Sequence, residues 1–168
     1  MKRKHWLIVA ILLLYIPLAR GQDEQFKALF MYNFTKYLEW PAEKEKGDFI
    51  ITVYGNSPII NELKVIAQKK NVGNQKIVVK KITTLSECAS CNILFIPKSK
   101  SLSSTEVQKV SNKGIVIITD KDGAAKQYSG INYVKVDGRQ SFEINETHIK
   151  AQGVKINSQL ITLGIKVD

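Results

Sequence analysis

Two short apolar runs, Asn92–Ile96 and Gly114–Thr119, constrain this chain most. Each has the length of one strand, and neither alternates polar with apolar residues, so both faces of each strand must be covered. Central strands of a parallel sheet meet that demand, because the crossover helices pack on both sides. The rest of the pattern agrees. Phe49–Tyr54 is a β-branched strand ending at Gly55-Asn56-Ser57-Pro58, and Ile59–Lys69 then has helical spacing. Asn71-Val72-Gly73-Asn74 reads as loop and Lys76–Ile82 as a strand, while Ser101–Ser111 has a weak helical face of Leu102, Val107 and Val110. Ile131–Val136 and Gln140–Ile144 flank Asp137-Gly138-Arg139, a hairpin signal. Asn145 can cap a short helix that stops at Gly153, and Ser158–Ile165 reads as a final helix. The expected fold is a single-domain α/β layered sandwich. Its mixed, mostly parallel sheet is flanked by helices and carries a late antiparallel hairpin.

Ahead of the sheet, Gln25–Trp40 places Phe26, Leu29, Phe30, Asn33, Phe34, Tyr37 and Leu38 at helical spacing, and Pro41 stops it. Such a stripe reads as core. Further forward, Lys2, Arg3 and Lys4 precede a thirteen-residue apolar run, Trp6–Leu18, and the small-residue site Ala19-Arg20-Gly21. This is the three-part pattern of a secretory signal peptide over residues 1–21, leaving one domain over 22–168. A run of that length falls short of the roughly 20 residues that span a bilayer. No Cys follows it closely, which argues against a lipid anchor there.

Export changes the charge balance. The whole chain carries +10, but residues 1–21 hold four cations (Lys2, Arg3, Lys4, Arg20) and no acid. The remaining 21 cations and 15 acids leave a net +6, mostly scattered Lys, with Arg139 the sole Arg beyond the leader. Nucleic-acid binding calls for clustered Arg and Lys with exposed aromatics, so a solvated basic surface is the better reading.

The sharpest local motif is Cys88-Ala89-Ser90-Cys91. A redox-active pair is one reading, since a CxxC disulfide closes a small, reducible loop. A structural or regulatory disulfide is another, and a pair of packed thiols a third. The pair precedes a strand and has Glu87 adjacent, whereas a thiol-disulfide enzyme usually sets its first Cys at a helix N-terminus. No metal site is expected: His148 is the single His beyond the leader, and two Cys cannot complete a tetrahedral zinc site. Asp120-Lys121-Asp122-Gly123 resembles half a calcium loop with no spaced acid to complete it, so it reads as a turn. No serine or cysteine sits in a nucleophile elbow, and no Gly-rich phosphate loop is present. No cofactor is expected. On a strand, Arg139, Ser141 and Glu143 share one face and Phe142 the other. Arg139 and Glu143 can act on a strand neighbour or on a partner.

Three blocks carry a family resemblance. Lys27–Pro41, ending Glu39-Trp40-Pro41, is similar to the opening helix of the YfiR-like family of exported bacterial regulators, and Cys91–Ile96 to one of its strands. Gly130–Tyr133, Asp137-Gly138-Arg139, Phe142–Asn145 and Gly153–Leu160 resemble its C-terminal signature. The resemblance implies a non-enzymatic periplasmic repressor with an α/β sandwich fold and a tendency to dimerise. It implies binding to the periplasmic sensory domain of an inner-membrane signalling protein, a diguanylate cyclase of cyclic-di-GMP signalling or a sensor kinase. Release is linked to envelope or redox stress and to an outer-membrane lipoprotein that sequesters the repressor. The familiar members form two disulfides from four Cys, whereas this chain has one CxxC pair. Arg139, Phe142 and Glu143 are the expected partner-binding residues, since exposed aromatics and arginines anchor interfaces. The competing expectations are a small thiol-disulfide protein using Cys88 and Cys91, and a binding module for a small ligand or peptidoglycan fragment.

Overall fold

The computed structural model describes residues 16–88, 90–111 and 113–168. Helix α1 (Ile16–Phe34) leads to the short β1 (Leu38–Glu39). Then come β2 (Phe49–Tyr54), α2 (Ile59–Ala67), β3 (Asn71–Val72), β4 (Gln75–Ile82), β5 (Ile93–Ile96) and α3 (Ser104–Val110). The chain continues through β6 (Val116–Thr119), α4 (Ala124–Gln127), β7 (Ile131–Val136), β8 (Arg139–Ile144) and α5 (Glu146–Lys150), and ends with β9 (Lys155–Ile156), α6 (Ser158–Leu163) and β10 (Ile165–Lys166). Eight strands form one sheet in the order β10-β8-β7-β6-β5-β2-β4-β3, and β1 pairs with β9 separately. From β4 across to β7 every pairing is parallel. β7 and β8 form the antiparallel hairpin, and β10 lies parallel to β8.

The two apolar runs are where two-sided burial demands them. Ile93, Phe95, Val116 and Ile118 face one core with α1, α2 and α6, whereas Leu94, Ile96, Ile115 and Ile117 face a second core with α3 and α4. Period-2 alternation sends successive side chains to opposite faces, so both sets must be apolar. The hairpin turn is Asp137-Gly138, with φ of 50° and 76°. Positive φ at both central residues is the type I′ signature that matches strand twist. Arg139 therefore begins β8 and lies outside the turn. Ser103 and Glu106 close a capping box on α3, and the Asn145 side chain accepts from the His148 amide at the start of α5, as its sequence position predicts.

Elsewhere the structure departs from local pattern. The aromatic helix ends at Phe34, and Leu38–Glu39 pairs with β9 in place of continuing the helix. Trp40 turns inward, where its Nε1 donates to the Asn92 carbonyl at 3.3 Å. The buried face of α1 is Ala28, Met31 and Phe34, with Leu29 exposed. Residues 71–72, expected as loop, make a small hairpin with β4. The last segment is helical only to Leu163, after which Ile165 and Lys166 join the sheet. Gly164 makes that exit feasible, because a Cβ there would lie 2.6 Å from the Phe142 ring. The expected leader lies outside the described residues up to residue 15, and residues 16–21 begin α1.

Phe34 sits where α1 meets the hairpin, its ring 4.8 Å from Phe142 and 6.0 Å from Tyr133. Phe34→Ala should cost about 3–5 kcal/mol in urea unfolding, the range for a large buried aromatic that leaves a cavity.

Candidate functional site

The three residues expected to bind a partner all lie on β8, but in different environments. Arg139 is exposed at the start of the strand. Glu143 is half-buried, and its Oε2 accepts from Asn132 Nδ2 at 2.9 Å. Asn132 is itself fully buried and accepts from Thr119 Oγ1 at 2.6 Å, so Glu143 ends a polar chain reaching into the sheet. Phe142 is only 3 % exposed and packs against Phe34 and Phe30. The expectation of an exposed aromatic anchor at Phe142 is corrected here. Strand alternation puts it opposite Arg139 and Glu143, as the period requires, and that side is the core face.

Phe142 nevertheless forms part of a surface feature. A groove of about 520 Å³ runs between α1, β8 and α6, lined by Phe26, Phe30, Phe34, Tyr37, Phe142 and Leu163 among others. Its margin is apolar: Leu163 is 60 % exposed, and Leu29, one turn from Phe26 and Asn33 on α1, is 49 % exposed. Lys36 is the one charged side chain lining it. The stripe on α1 therefore does two things. Its inner edge builds the core, and its outer edge (Phe26, Leu29, Phe30) stays available at the surface.

A second cluster lies where the central strands end. Lys27 Nζ is buried between Asp120 Oδ2 at 2.6 Å and Glu24 Oε1 at 2.9 Å. Tyr133 donates its hydroxyl to the Lys27 carbonyl at 2.6 Å, and Asp120 Oδ1 accepts from the Lys98 amide. Burial pulls the Lys27 ammonium down, but the hydrogen bonds and charges of Asp120 and Glu24 outweigh it, and the net shift is upward. Burial, with those two carboxylates nearby, pushes the Tyr133 phenol well above its ordinary value. Asp120, read from sequence as part of a turn, thus ties α1 to the sheet. A polar cavity of about 670 Å³ opens beside it. Lys27 and its helical neighbour Glu24, three residues back, were detectable in the sequence, whereas its partner Asp120 could be assigned only from the fold.

Cys88 and Cys91 are joined in a disulfide, both 1 % exposed, at the 3-10 turn leading into β5. Lys44 Nζ donates to the Cys91 carbonyl at 2.8 Å, which ties the loop to the segment before β2. His148 lies on α5, its Nδ1 3.1 Å from the Ser129 carbonyl, an atom that can only accept. Among the described residues, no three His, Cys, Asp or Glu side chains are grouped to hold a metal ion, and no helix is long and apolar enough to cross a membrane.

The eight-stranded, mostly parallel sheet, its antiparallel hairpin and the helices packed alongside define a small mixed α/β domain. Residues 24–165 match the YfiR/HmsC-like family, and the chain belongs to it. Membership implies a periplasmic regulator of cyclic-di-GMP signalling proteins that acts through a membrane signalling partner. No curated protein matches the chain.

Three outcomes follow from this geometry. Asp120→Asn should cost about 3 kcal/mol at neutral pH, because it leaves a buried ammonium short of a partner. A Lys pKa raised on folding adds stability below the ordinary value of 10.5, and that stability is lost as pH rises through the folded value. The stability gap between the native chain and Lys27→Met should therefore narrow in strongly alkaline urea titrations. Cys88→Ser, Cys91→Ser should cost about 2 kcal/mol, the chain-entropy value for so short a loop, and leave a cooperative thermal transition.

Proposed function

We propose that residues 22–168 act in the periplasm after removal of a signal peptide over 1–21, binding and repressing the periplasmic sensory domain of an inner-membrane signalling protein. A diguanylate cyclase is the first expected target and a sensor kinase the second. The observation that carries this reading is the family match, which covers the domain almost from end to end. The exposed Leu29 and Leu163, with the half-buried Phe26 and Phe30 lining the groove, support it, because exposed apolar surface beside a groove marks interaction sites.

Repression of this kind is a matter of differential affinity. The regulator must bind the inactive conformation of its partner more tightly than the active one. Moving the partner from 1:99 to 99:1 takes about 5.5 kcal/mol of such preference. Arg139 and Glu143 are proposed as a second, polar set of contacts on the opposite face of β8 from the groove, with Phe142 supporting the strand from the α1 side. Action as a homodimer, with sequestration by an outer-membrane lipoprotein as the release step, completes the reading. Burial of both cysteines favours a structural clasp over a turnover disulfide.

Deleting the gene should raise cellular cyclic-di-GMP, and a plasmid copy should restore it, as measured by mass spectrometry of cell extracts. The same experiment with Arg139→Ala, Glu143→Ala should restore it only in part. Unchanged cyclic-di-GMP in the deletion strain would overturn the cyclase target, and failure to co-purify any inner-membrane signalling protein would overturn the reading as a whole.

A further inference from the structure

We propose that the open edge of β8 at Gln140–Phe142 receives an extended, acidic-apolar segment of the regulated membrane protein as an added strand. One apolar side chain of that segment fills the groove beside Phe142. This rests on the regulatory reading above and specifies its mode of contact.

The orientation of the β8 main chain follows from two hydrogen bonds. The Ile144 carbonyl accepts from Val167 on the outer side, and the Asn145 amide donates to Gly130 on the β7 side. Main-chain groups alternate sides along an antiparallel strand, so Gln140 and Phe142 point theirs outward with Ile144. β10 covers this edge only at Glu143 and Ile144. Gln140 and the Phe142 amide are left facing outward, in line with β10 and directly beside the groove that Gln140, Ser141 and Phe142 help to line.

The opposite end of the sheet is treated differently. β4 is flanked by the short β3 and carries Lys76, Lys80 and Lys81, all exposed. Lysines and short covering strands are the usual means of preventing a sheet edge from pairing with another chain. The free stretch of β8 carries Gln140, Ser141 and Phe142 instead. That edge is left competent to pair.

The size of the site selects the occupant. A stretch three residues long and a groove of about 520 Å³ accept a short strand and one or two side chains. A stable dimer interface buries roughly 1,200 Å² or more in total, beyond what this stretch supplies. A helix has already used its main-chain groups and could not satisfy those of β8, whereas an extended segment can. Charge selects the composition. The one charged side chain that lines the groove is the cation Lys36, and the acid that meets the Gln140 side chain, Asp23, has its charge paired to Lys135.

The probe is the acetylated, amidated pentapeptide Asp-Ile-Phe-Ile-Asp, with its Lys-Ile-Phe-Ile-Lys counterpart as control, added to the folded chain. The acidic peptide should bind in calorimetry and slow exchange of the Gln140 and Phe142 amides, with the lysine peptide weaker. Gln140→Pro removes an outward amide and leaves the β7 ladder intact, and Leu163→Asp makes the groove margin acidic. Each should weaken peptide binding about five- to tenfold, the value of one hydrogen bond or one modest contact. Each should also reduce repression in cells while leaving the melting temperature near that of the native chain. Unchanged exchange at both amides with the acidic peptide would overturn the proposal. So would full repression by both variants, which leaves the regulatory reading standing; that reading falls when the unaltered chain co-purifies no inner-membrane signalling protein. A concentration-dependent dimer abolished by Gln140→Pro would replace the segment with a second copy and overturn the proposal as well.

Discussion

The packing of α1 across the β7–β8 hairpin holds the arrangement together. Phe34 contacts Phe30, Phe142 and Tyr133, and this aromatic group fixes both the rotation and the height of α1 on the sheet. Rotation determines which side of the helix is buried, so Ala28 and Met31 point inward while Leu29 points outward. Height sets Lys27 over Asp120 and leaves Phe26 and Phe30 along the groove. Aromatic pairs contribute about 0.5–1.5 kcal/mol each beyond their area, so a cluster of this kind is a sizeable share of a small domain's stability. The interaction face and the core are two edges of the same helix.

Buried polar groups define register where apolar packing alone would allow slippage. Asn92 is 1 % exposed, and its side chain accepts from the Ile50 amide and donates to the Lys44 carbonyl. Its own carbonyl accepts from Val116 and from Trp40. One residue thus clamps β2, β5 and β6 together at the edge of the Cys88–Cys91 loop. Burial lowers the Lys44 ammonium, against the opposing attraction of Glu43 and with a smaller push the same way from Lys113. That fits a long side chain laid across the loop with its tip on the Cys91 carbonyl. Asn132, Thr119 and Ser129 play the equivalent part between β6 and β7. A polar group that lost its partner at either place would face an apolar interior, which gives the paired arrangement its advantage over shifted ones.

Wherever local physics is decisive, the expected elements coincide with the observed ones. The Asp137-Gly138 turn, the Asn145 cap and the two central strands depend on backbone preference or on burial that nearest neighbours reveal. Of the candidate residues, the placement of Arg139 and Glu143 on one strand face and Phe142 on the other was legible in the sequence, but strand period alone cannot say which face meets the core. Phe142 therefore turned out to be internal. The cluster of Lys27, Glu24 and Asp120 was missed because Asp120 joins the local Glu24–Lys27 pair from 93 residues away.

The order of residues alone determined the class of fold, the hairpin, the helix caps and the family signature, because each arises from periodicities and preferences within a few residues. Three features were decided only in three dimensions: the end of α1 at Phe34, the recruitment of Ile165–Lys166 beside β8, and the exposure of a groove next to Phe142. Each depends on what a segment finds next to it after collapse. Leu38 pairs because β9 is there to receive it, and β10 forms because β8 has an edge to offer. An open backbone edge is a property of the assembled sheet, since every strand carries the same amides and carbonyls until its neighbours take their places.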